Sequence, residues 1–311
     1  MKVFVAGQTG LVGSSLIRTI PQGYELVTAT RQELDLTDIH EVRNFLSAHK
    51  PDAIILAAAK VGGIGANTAQ QKEFILENLN IQNAVIPAAA ELGVPKLLFL
   101  GSSCIYPKLA PQPISESSLM TGPLEPTNEG YALAKILGIR LCKAIFDQDG
   151  LDYFSVMPTN LYGPGDNYDR FSSHVPASLM RKFHEAKVNG DSEVVVWGTG
   201  NPRREFMYVD DLAHACWHLL NQGVGGELIN IGTGTDVTIR EFAELMARTV
   251  GYEGALTFDT SKPDGTPQKL LDVAKAHSYG WKHTVKLEDG LRSTYEWFVN
   301  SLAAGTVRGM G

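Results

Sequence analysis

Cysteine is scarce in this chain. Cys104, Cys142 and Cys216 are the three present, far from a disulfide framework, and the chain reads as one for a reducing compartment, the cytoplasm. Long apolar runs are missing as well. None approaches the ~20 residues of a membrane span, and the apolar start is broken by Gly7, Gly10 and Gly13 with no small-residue cleavage site after it, unlike a signal peptide. Basic excess is also absent. Lys and Arg number 27 against 34 Asp and Glu, a net charge of −7 that argues against nucleic-acid or anionic-membrane partners while allowing a local basic pocket. There is no internal repeat, no low-complexity segment and no heptad. No metal site is expected.

What is present is an ordinary globular composition over 311 residues, enough for a large core in one or two domains. Strand-like runs at 2–6, 25–29, 53–58, 96–101 and 153–157 alternate with helix-like runs near 11–20, 39–48, 70–92 and 128–148. That alternation predicts an α/β fold with a Rossmann-type, doubly wound parallel sheet. Beyond residue 163 the alternation weakens. A strand is expected at 193–197, another at 227–231, and a helix at 238–250 with Thr238 as its N-cap. Residues 263–267 are loop by composition, and 303–311 read as a frayed tail. The expected division is a nucleotide-binding domain of 1–163 plus about 204–234, and a smaller α/β substrate lobe of 164–203 plus about 235–311.

The start of the chain carries chemistry. The apolar run at 3–6 reads as a buried strand; Gly7, Gly10 and Gly13 follow as G-x-x-G-x-x-G; and Leu11, Val12, Leu16, Ile17 and Ile20 have helical spacing. In that context the glycines allow a tight turn and close approach of a pyrophosphate, which the helix N-terminus attracts. A tight turn without ligand is the plainer alternative. The next strand ends Ala29-Thr30-Arg31, with no acid at its tip to grip a ribose 2′-hydroxyl; Arg31 suits a 2′-phosphate, hence NADP(H), although Glu33 is close enough to leave NAD open. Asp35 is either an adenine contact or a helix-start acid. The small residues Ala57 and Ala58 end the third strand and let a cofactor pack against backbone.

Tyr131 and Lys135 stand four residues apart on one helix face, about thirty residues after Gly101-Ser102-Ser103-Cys104. The ammonium is expected to lower the tyrosine pKa from about 10 toward neutrality. The phenol can then exchange the proton that accompanies hydride transfer at a carbonyl, with Ser102 holding the same oxygen. Y-x-x-x-K is weak alone; the glycine-rich start makes it specific. Cys104 read by itself is as well a small buried apolar residue, and His174 by itself as well a structural or exposed histidine.

Longer stretches resemble the extended short-chain dehydrogenase/reductases that act on nucleotide sugars, and among them the NADPH-dependent 3,5-epimerase/4-reductases. They are Ala57-Ala58-Ala59-Lys60-Val61-Gly62-Gly63-Ile64, Gly101 through Lys108, Glu125 through Tyr131, Met157 through Pro164, Val196-Trp197-Gly198, Arg204-Glu205-Phe206 and Lys262 through Pro267. The likeness runs from Val3 to about Phe298. It implies two-step conversion of GDP-4-keto-6-deoxy-D-mannose to GDP-L-fucose, or of a related GDP-keto-sugar such as the colitose precursor. It implies Ser102, Cys104, Tyr131, Lys135 and His174 as catalytic residues, with Cys104 and His174 as the acid/base pair in an undecided order. NADP(H) would be held by Gly7, Thr9, Gly10, Leu11, Val12, Gly13, Arg31, Asp35, Leu36, Ala57, Ala58, Leu100, Gly101, Tyr131, Lys135, Pro158, Asn160, Leu161 and His174. The sugar nucleotide would meet Ser102, Cys104, Asn160, Val175, Lys182, Trp197, Arg204, Asp264 and Lys269, with Arg203 able to share the Arg204 role. Lys182 stands where the family often has arginine. Asp210 and Asp211 read as N-terminal caps of a family helix. In relatives the two long helices pair across a two-fold axis, so the resemblance implies a homodimer through a four-helix bundle. Competing readings are an NAD-recycling 4-epimerase or dehydratase, whose usual acid pair beside the serine is missing from Ser103-Cys104, and a redox-sensing NADP-binding regulator, which need not keep Ser102, Tyr131 and Lys135.

Overall fold

A computed structural model describes residues 1–262 and 264–310. Pro263 of the expected loop, Gly311 of the expected tail and the side chain of Ile64 lie outside the described residues.

The first half runs β1 (Lys2–Ala6), α1 (Leu11–Arg18), β2 (Glu25–Val27), α2 (Ile39–His49), β3 (Ala53–Leu56), α3 (Ile64–Ala69), α4 (Gln71–Glu91), β4 (Lys96–Leu100), α5 (Glu129–Asp149) and β5 (Asp152–Pro158). The expected strands and helices are present with small boundary shifts. Local chemistry sets several ends. Asp38 caps α2 by accepting from the N–H groups of His40 and Glu41, and Gly150 closes α5 at φ 71°, where a side chain would be strained.

The second half runs β6 (Asn160–Tyr162), α6 (Val175–Asn189), β7 (Glu193–Trp197), β8 (Arg203–Arg204), β9 (Phe206–Tyr208), α7 (Val209–Leu219), β10 (Leu228–Ile231), β11 (Val237–Thr238), α8 (Ile239–Val250), β12 (Ala255–Asp259), β13 (Gln268–Lys269), α9 (Ala274–Ser278) and α10 (Leu287–Ala303). Thr238 caps α8 in a full capping box with Glu241, as expected. Helices α6, α7 and α10 carry no expectation from the alternation above; each buries an apolar face, α6 through Leu179, Met180 and Phe183, α7 through Leu212, Cys216 and Leu219, and α10 through Leu291 and Phe298.

Six strands form one parallel sheet in the order β10-β5-β4-β3-β1-β2. Chain direction around the sheet reverses between β1 and β3, and in such sheets the crevice outside the carboxyl ends at that point takes the ligand. β1, β3 and β4 are almost wholly buried, which matches their unbroken apolar sequences. One apolar layer packs α2, α4 and α5 on one face, and a second packs α1 and α7 on the other. A third cluster joins α6, α8 and α10 around Phe183, Phe242 and Phe298.

One expectation is overturned. Residues 307–309 of the expected tail are not frayed: Val307 is buried, the Arg308 carbonyl accepts from Tyr168 N–H at 2.9 Å, and the Gly309 carbonyl accepts from Arg181 at 3.1 Å. Asp210 and Asp211 lie in the first turn of α7, the helix start expected of them, where negative charge complements the helix dipole, although neither makes a side-chain cap hydrogen bond. Asp210 accepts from Ser15 Oγ at 2.6 Å and pairs with Arg18, while Asp211 accepts from Thr284 and Val285, so both carboxylates staple α7 to its neighbours.

Candidate active site

The carboxyl ends of β1, β3, β4 and β5 bring together four stretches that are far apart in the chain. After β1 comes the glycine turn. Gly7 has φ 97°, and a Cβ there would meet Ala58 N at 2.6 Å and the Ala57 carbonyl carbon at 3.0 Å. A Cβ on Gly13 would collide with the Gly7 carbonyl. Gly10 N-caps α1 without any side-chain cap, so the first N–H groups of the helix keep their capacity for an anion. Thr9 is exposed and Leu11 and Val12 are half-buried beside them. This cradle fits a dinucleotide pyrophosphate.

In the loop after β2, Arg31 is exposed. Glu33 spends its carboxylate on Thr30, accepting from its N–H and its hydroxyl at 2.8 Å each, and these bonds hold its pKa low. The acid that kept NAD open is therefore committed elsewhere. Asp35 accepts from Thr37 N–H and Oγ1 at 2.9 and 2.7 Å, and the helix-start role belongs to Asp38 instead. Leu36 is half-buried next to it.

After β4, Ser102 Oγ accepts from Cys104 N–H at 3.3 Å in a short helical turn. The half-buried Cys104 receives Asn128 Nδ2 at 3.2 Å and Lys269 Nζ at 3.7 Å on its sulfur. Tyr131 and Lys135 lie on α5. Lys135 is buried, donates to the Leu100 carbonyl at 2.7 Å and sits 4.7 Å above the Phe99 ring.

The expected lowering of the tyrosine pKa is not what this geometry produces. Burial pushes the Tyr131 phenol up, the nearby Cys104 charge adds to that, and a Ser102 hydrogen bond offsets only part. Burial also lowers Lys135 to about 7, so a partly neutral amine 5.8 Å from the ring centroid is a weak stabiliser of phenolate. Tyr131 thus stands as a protonated acid.

Beyond β5, Pro158 and Leu161 are half-buried, and Asn160 donates to the Glu205 carbonyl at 2.8 Å. His174 is the N-cap of α6, followed by the exposed Val175. His174 is exposed to solvent, and the protein packed around it pushes its pKa below the ordinary imidazole value. Lys182, two turns along α6, and Lys262 stand 5.7 and 5.5 Å from the Trp197 ring, which is 63% exposed. Arg204 and Lys269 are register partners of β8 and β13. Asp264 binds Thr199 N–H and Oγ1 at 2.7 and 2.8 Å through its carboxylate, and its carbonyl accepts from Arg204 at 3.4 Å. Arg203 is turned away into an ion pair with Asp236, so it does not double for Arg204.

Sequence reasoning passed over three groups here. Asn128 contacts the Cys104 sulfur, Lys262 flanks Trp197, and Glu205, fully buried, accepts from the N–H groups of Gly234 and Leu271 at 2.8 and 3.0 Å as well as from Thr233. All three lie inside stretches that carry the resemblance, which was the available signal.

The NAD dependent epimerase/dehydratase family matches residues 3–232. The chain belongs to that family. It is 58% identical to GDP-L-fucose synthase 1 of Arabidopsis thaliana over 303 residues, 97% of this chain and 94% of that protein. It is 52% identical to GDP-L-fucose synthase of Escherichia coli (strain K12) over 311 residues, 96% of this chain and 97% of that one. Among solved structures, a GDP-L-fucose synthetase from Naegleria fowleri bound to NADP superposes with a TM-score of 0.88 at 28% identity, covering 99% of this chain and 96% of that one.

Proposed function

We propose that the protein converts GDP-4-keto-6-deoxy-D-mannose to GDP-L-fucose with NADPH, by inversion at C3 and C5 followed by reduction at C4. The observation that carries this reading is the placement of Cys104. Its sulfur receives Asn128 Nδ2 at 3.2 Å, three residues before Tyr131, and Lys269 Nζ at 3.7 Å, the register partner of Arg204, so a thiol able to move protons joins the hydride-transfer set to the nucleotide-side cations. The names of the relatives at 58% and 52% identity point the same way.

The C4 ketone acidifies the hydrogens at C3 and C5. Cys104 and His174 take and return those protons from opposite faces, one removing and the other delivering. Ser102 and the Tyr131 phenol hold the enolate oxygen. NADPH, when bound, supplies the hydride for C4. Tyr131 then protonates the C4 oxygen, its raised pKa keeping that proton available. Lys135 holds the end of β4 and the ribose side of the site. Gly7, Gly10, Gly13, Ala57 and Ala58 take the cofactor's pyrophosphate end, and Arg31 its 2′-phosphate. Arg204, Lys182 and Lys269 meet the GDP diphosphate and sugar, Trp197 packs on the nucleoside, and Asp264 orients the Arg204 loop.

This assignment divides the chain into a cofactor domain of 1–163 plus about 204–234 and a sugar-nucleotide lobe of 164–203 plus about 235–311. The pairing of β10 with β5 in the large sheet supports the return of 204–234. We assign the enzyme to the cytoplasm, and to a homodimer through α4 and α5, because Leu76, Leu133 and Leu137 remain 45–54% exposed along this packed pair of helices.

The test is incubation with GDP-4-keto-6-deoxy-D-mannose and NADPH or NADH, following nicotinamide absorbance and identifying the product. NADPH oxidation with GDP-L-fucose formed is expected. No oxidation with either cofactor removes the assignment, and turnover confined to a 3-deoxy keto-sugar moves it to the colitose branch.

A further inference from the structure

One stretch of the resemblance finds no place in either half-reaction: Lys60-Val61-Gly62-Gly63, the segment between β3 and α3. Its backbone is bound on three sides. The buried Asn78 side chain of α4 accepts from Lys60 N–H and donates to the Lys60 carbonyl, both at 3.0 Å. The buried Asn67 of α3 donates to the Gly62 and Gly63 carbonyls at 2.6 and 3.1 Å. On its far side Gly63 N–H donates to the Ser172 carbonyl at 3.0 Å.

The approach of the two backbones requires glycine. A Cβ on Gly63 would stand 2.6 Å from the Ser173 carbonyl oxygen, a contact that backbone on both sides cannot relieve by a rotamer change. A Cβ on Gly62 would be 3.1 Å from the Phe74 ring, which itself packs edge-on against Tyr131 with centroids 6.2 Å apart. His174 follows Ser173 directly and caps α6 without a side-chain cap hydrogen bond. Its place is therefore set by where residues 172–173 dock.

We propose that Gly63 is a positioning residue for His174, and that through it this glycine governs the proton transfers at C3 and C5 and not the hydride transfer at C4. The inference rests on the epimerase/reductase reading above. Ser102, Tyr131 and Lys135 are held by β4 and α5 and have no part in the Gly63–Ser173 contact, whereas Gly62 faces Phe74 on the tyrosine side. Shifting His174 by even an ångström costs proton-transfer geometry steeply, since the transfer needs hydrogen-bond reach. The reduction set would stay in register.

The experiment compares wild type, Gly63→Ala and Asn67→Ala in deuterium oxide. It measures deuterium wash-in at C3 and C5 without NADPH, the rate of NADPH oxidation, the product sugar, NADPH binding and the thermal midpoint. The expected result for Gly63→Ala is a fall in wash-in of at least about tenfold, with NADPH binding kept and product shifted toward the sugar reduced at C4 without epimerisation. Asn67→Ala, which introduces no clash, is expected to shift the same ratio more weakly and decides the matter if Gly63→Ala does not fold. Wash-in and reduction falling in proportion, or neither falling, would overturn the proposal. A wild-type chain that neither washes in deuterium nor oxidises NADPH removes the reaction itself and this inference with it; an active wild type beside unaltered ratios removes this inference alone.

Discussion

Lys135 Nζ donates to the Leu100 carbonyl at 2.7 Å, tying the middle of α5 to the last residue of β4. The bond couples the residue that ends the strand to the helix that carries Tyr131, so the serine turn and the tyrosine move as one unit. It also keeps the nitrogen in a nearly dry environment, 3% exposed, where the neutral amine is favoured.

A pH-dependent stability follows. The folded pKa of Lys135 is about 7, below its ordinary value, so the cost of burying the charge is full below pH 7 and fades as pH rises toward about 10. That cost is a few kcal/mol, against the roughly 1 kcal/mol that one hydrogen bond contributes. Lys135→Met should abolish C4 reduction yet raise the thermal midpoint, by several degrees near about pH 6 and hardly at all near about pH 10. Melting curves at both pH values check this, and equal shifts would contradict burial as the cause.

Cys104→Ser separates the two half-reactions. The hydroxyl keeps the size and the Asn128 contact but exchanges protons with carbon acids far less readily than a thiol near neutrality. Deuterium exchange at C3 and C5 should be suppressed, by about two orders of magnitude for loss of one acid/base group, while direct C4 reduction persists. Proton NMR of the recovered sugar nucleotide reads both, and unchanged exchange would take Cys104 out of the mechanism.

Arg31→Ala tests cofactor choice. With Glu33 committed to Thr30, Arg31 is the group left to answer a 2′-phosphate. Charge-assisted bonds of this kind contribute about 1.5–3 kcal/mol, so the preference for NADPH over NADH should fall by roughly 10- to 100-fold. The ratio of kcat/KM for the two cofactors measures it, and an unaltered ratio means that Arg31 only faces solvent.

Leu137→Arg tests the assembly. Leu137 is 54% exposed, so a charge there disturbs no core of the single chain. In a self-complementary interface it meets its own copy or close neighbours twice over. Sedimentation should show a monomer where the parent chain is a dimer, with the thermal midpoint of the monomer little changed at low concentration. A dimer that persists places the interface elsewhere.

Much of this site was readable in one dimension because its chemistry is local. The glycine turn, the Tyr131–Lys135 spacing and the serine turn each lie within a few residues, and strand, turn and helix signals surround them. The place of Arg31 was legible for the same reason: the loop after β2 is a position that the βαβ pattern defines. The alternation of the first half was equally plain, since strands buried on both faces read as unbroken apolar runs.

Long-range packing decided the rest. No spacing rule puts Asn128 and Lys269 on the Cys104 sulfur, turns Arg203 to Asp236 while Arg204 faces Asp264, or docks Gly63 on Ser173. Whether Lys135 lowers the pKa of Tyr131 was likewise beyond the spacing, because the same burial that joins the two residues also strips the ammonium of water. What the sequence alone determined is which groups are available and which segments fold locally around them. Which of those groups meet, and with what charge, was decided only when β4, α5, α6 and β13 closed on one another, because desolvation and backbone contact depend on neighbours that are distant in the chain.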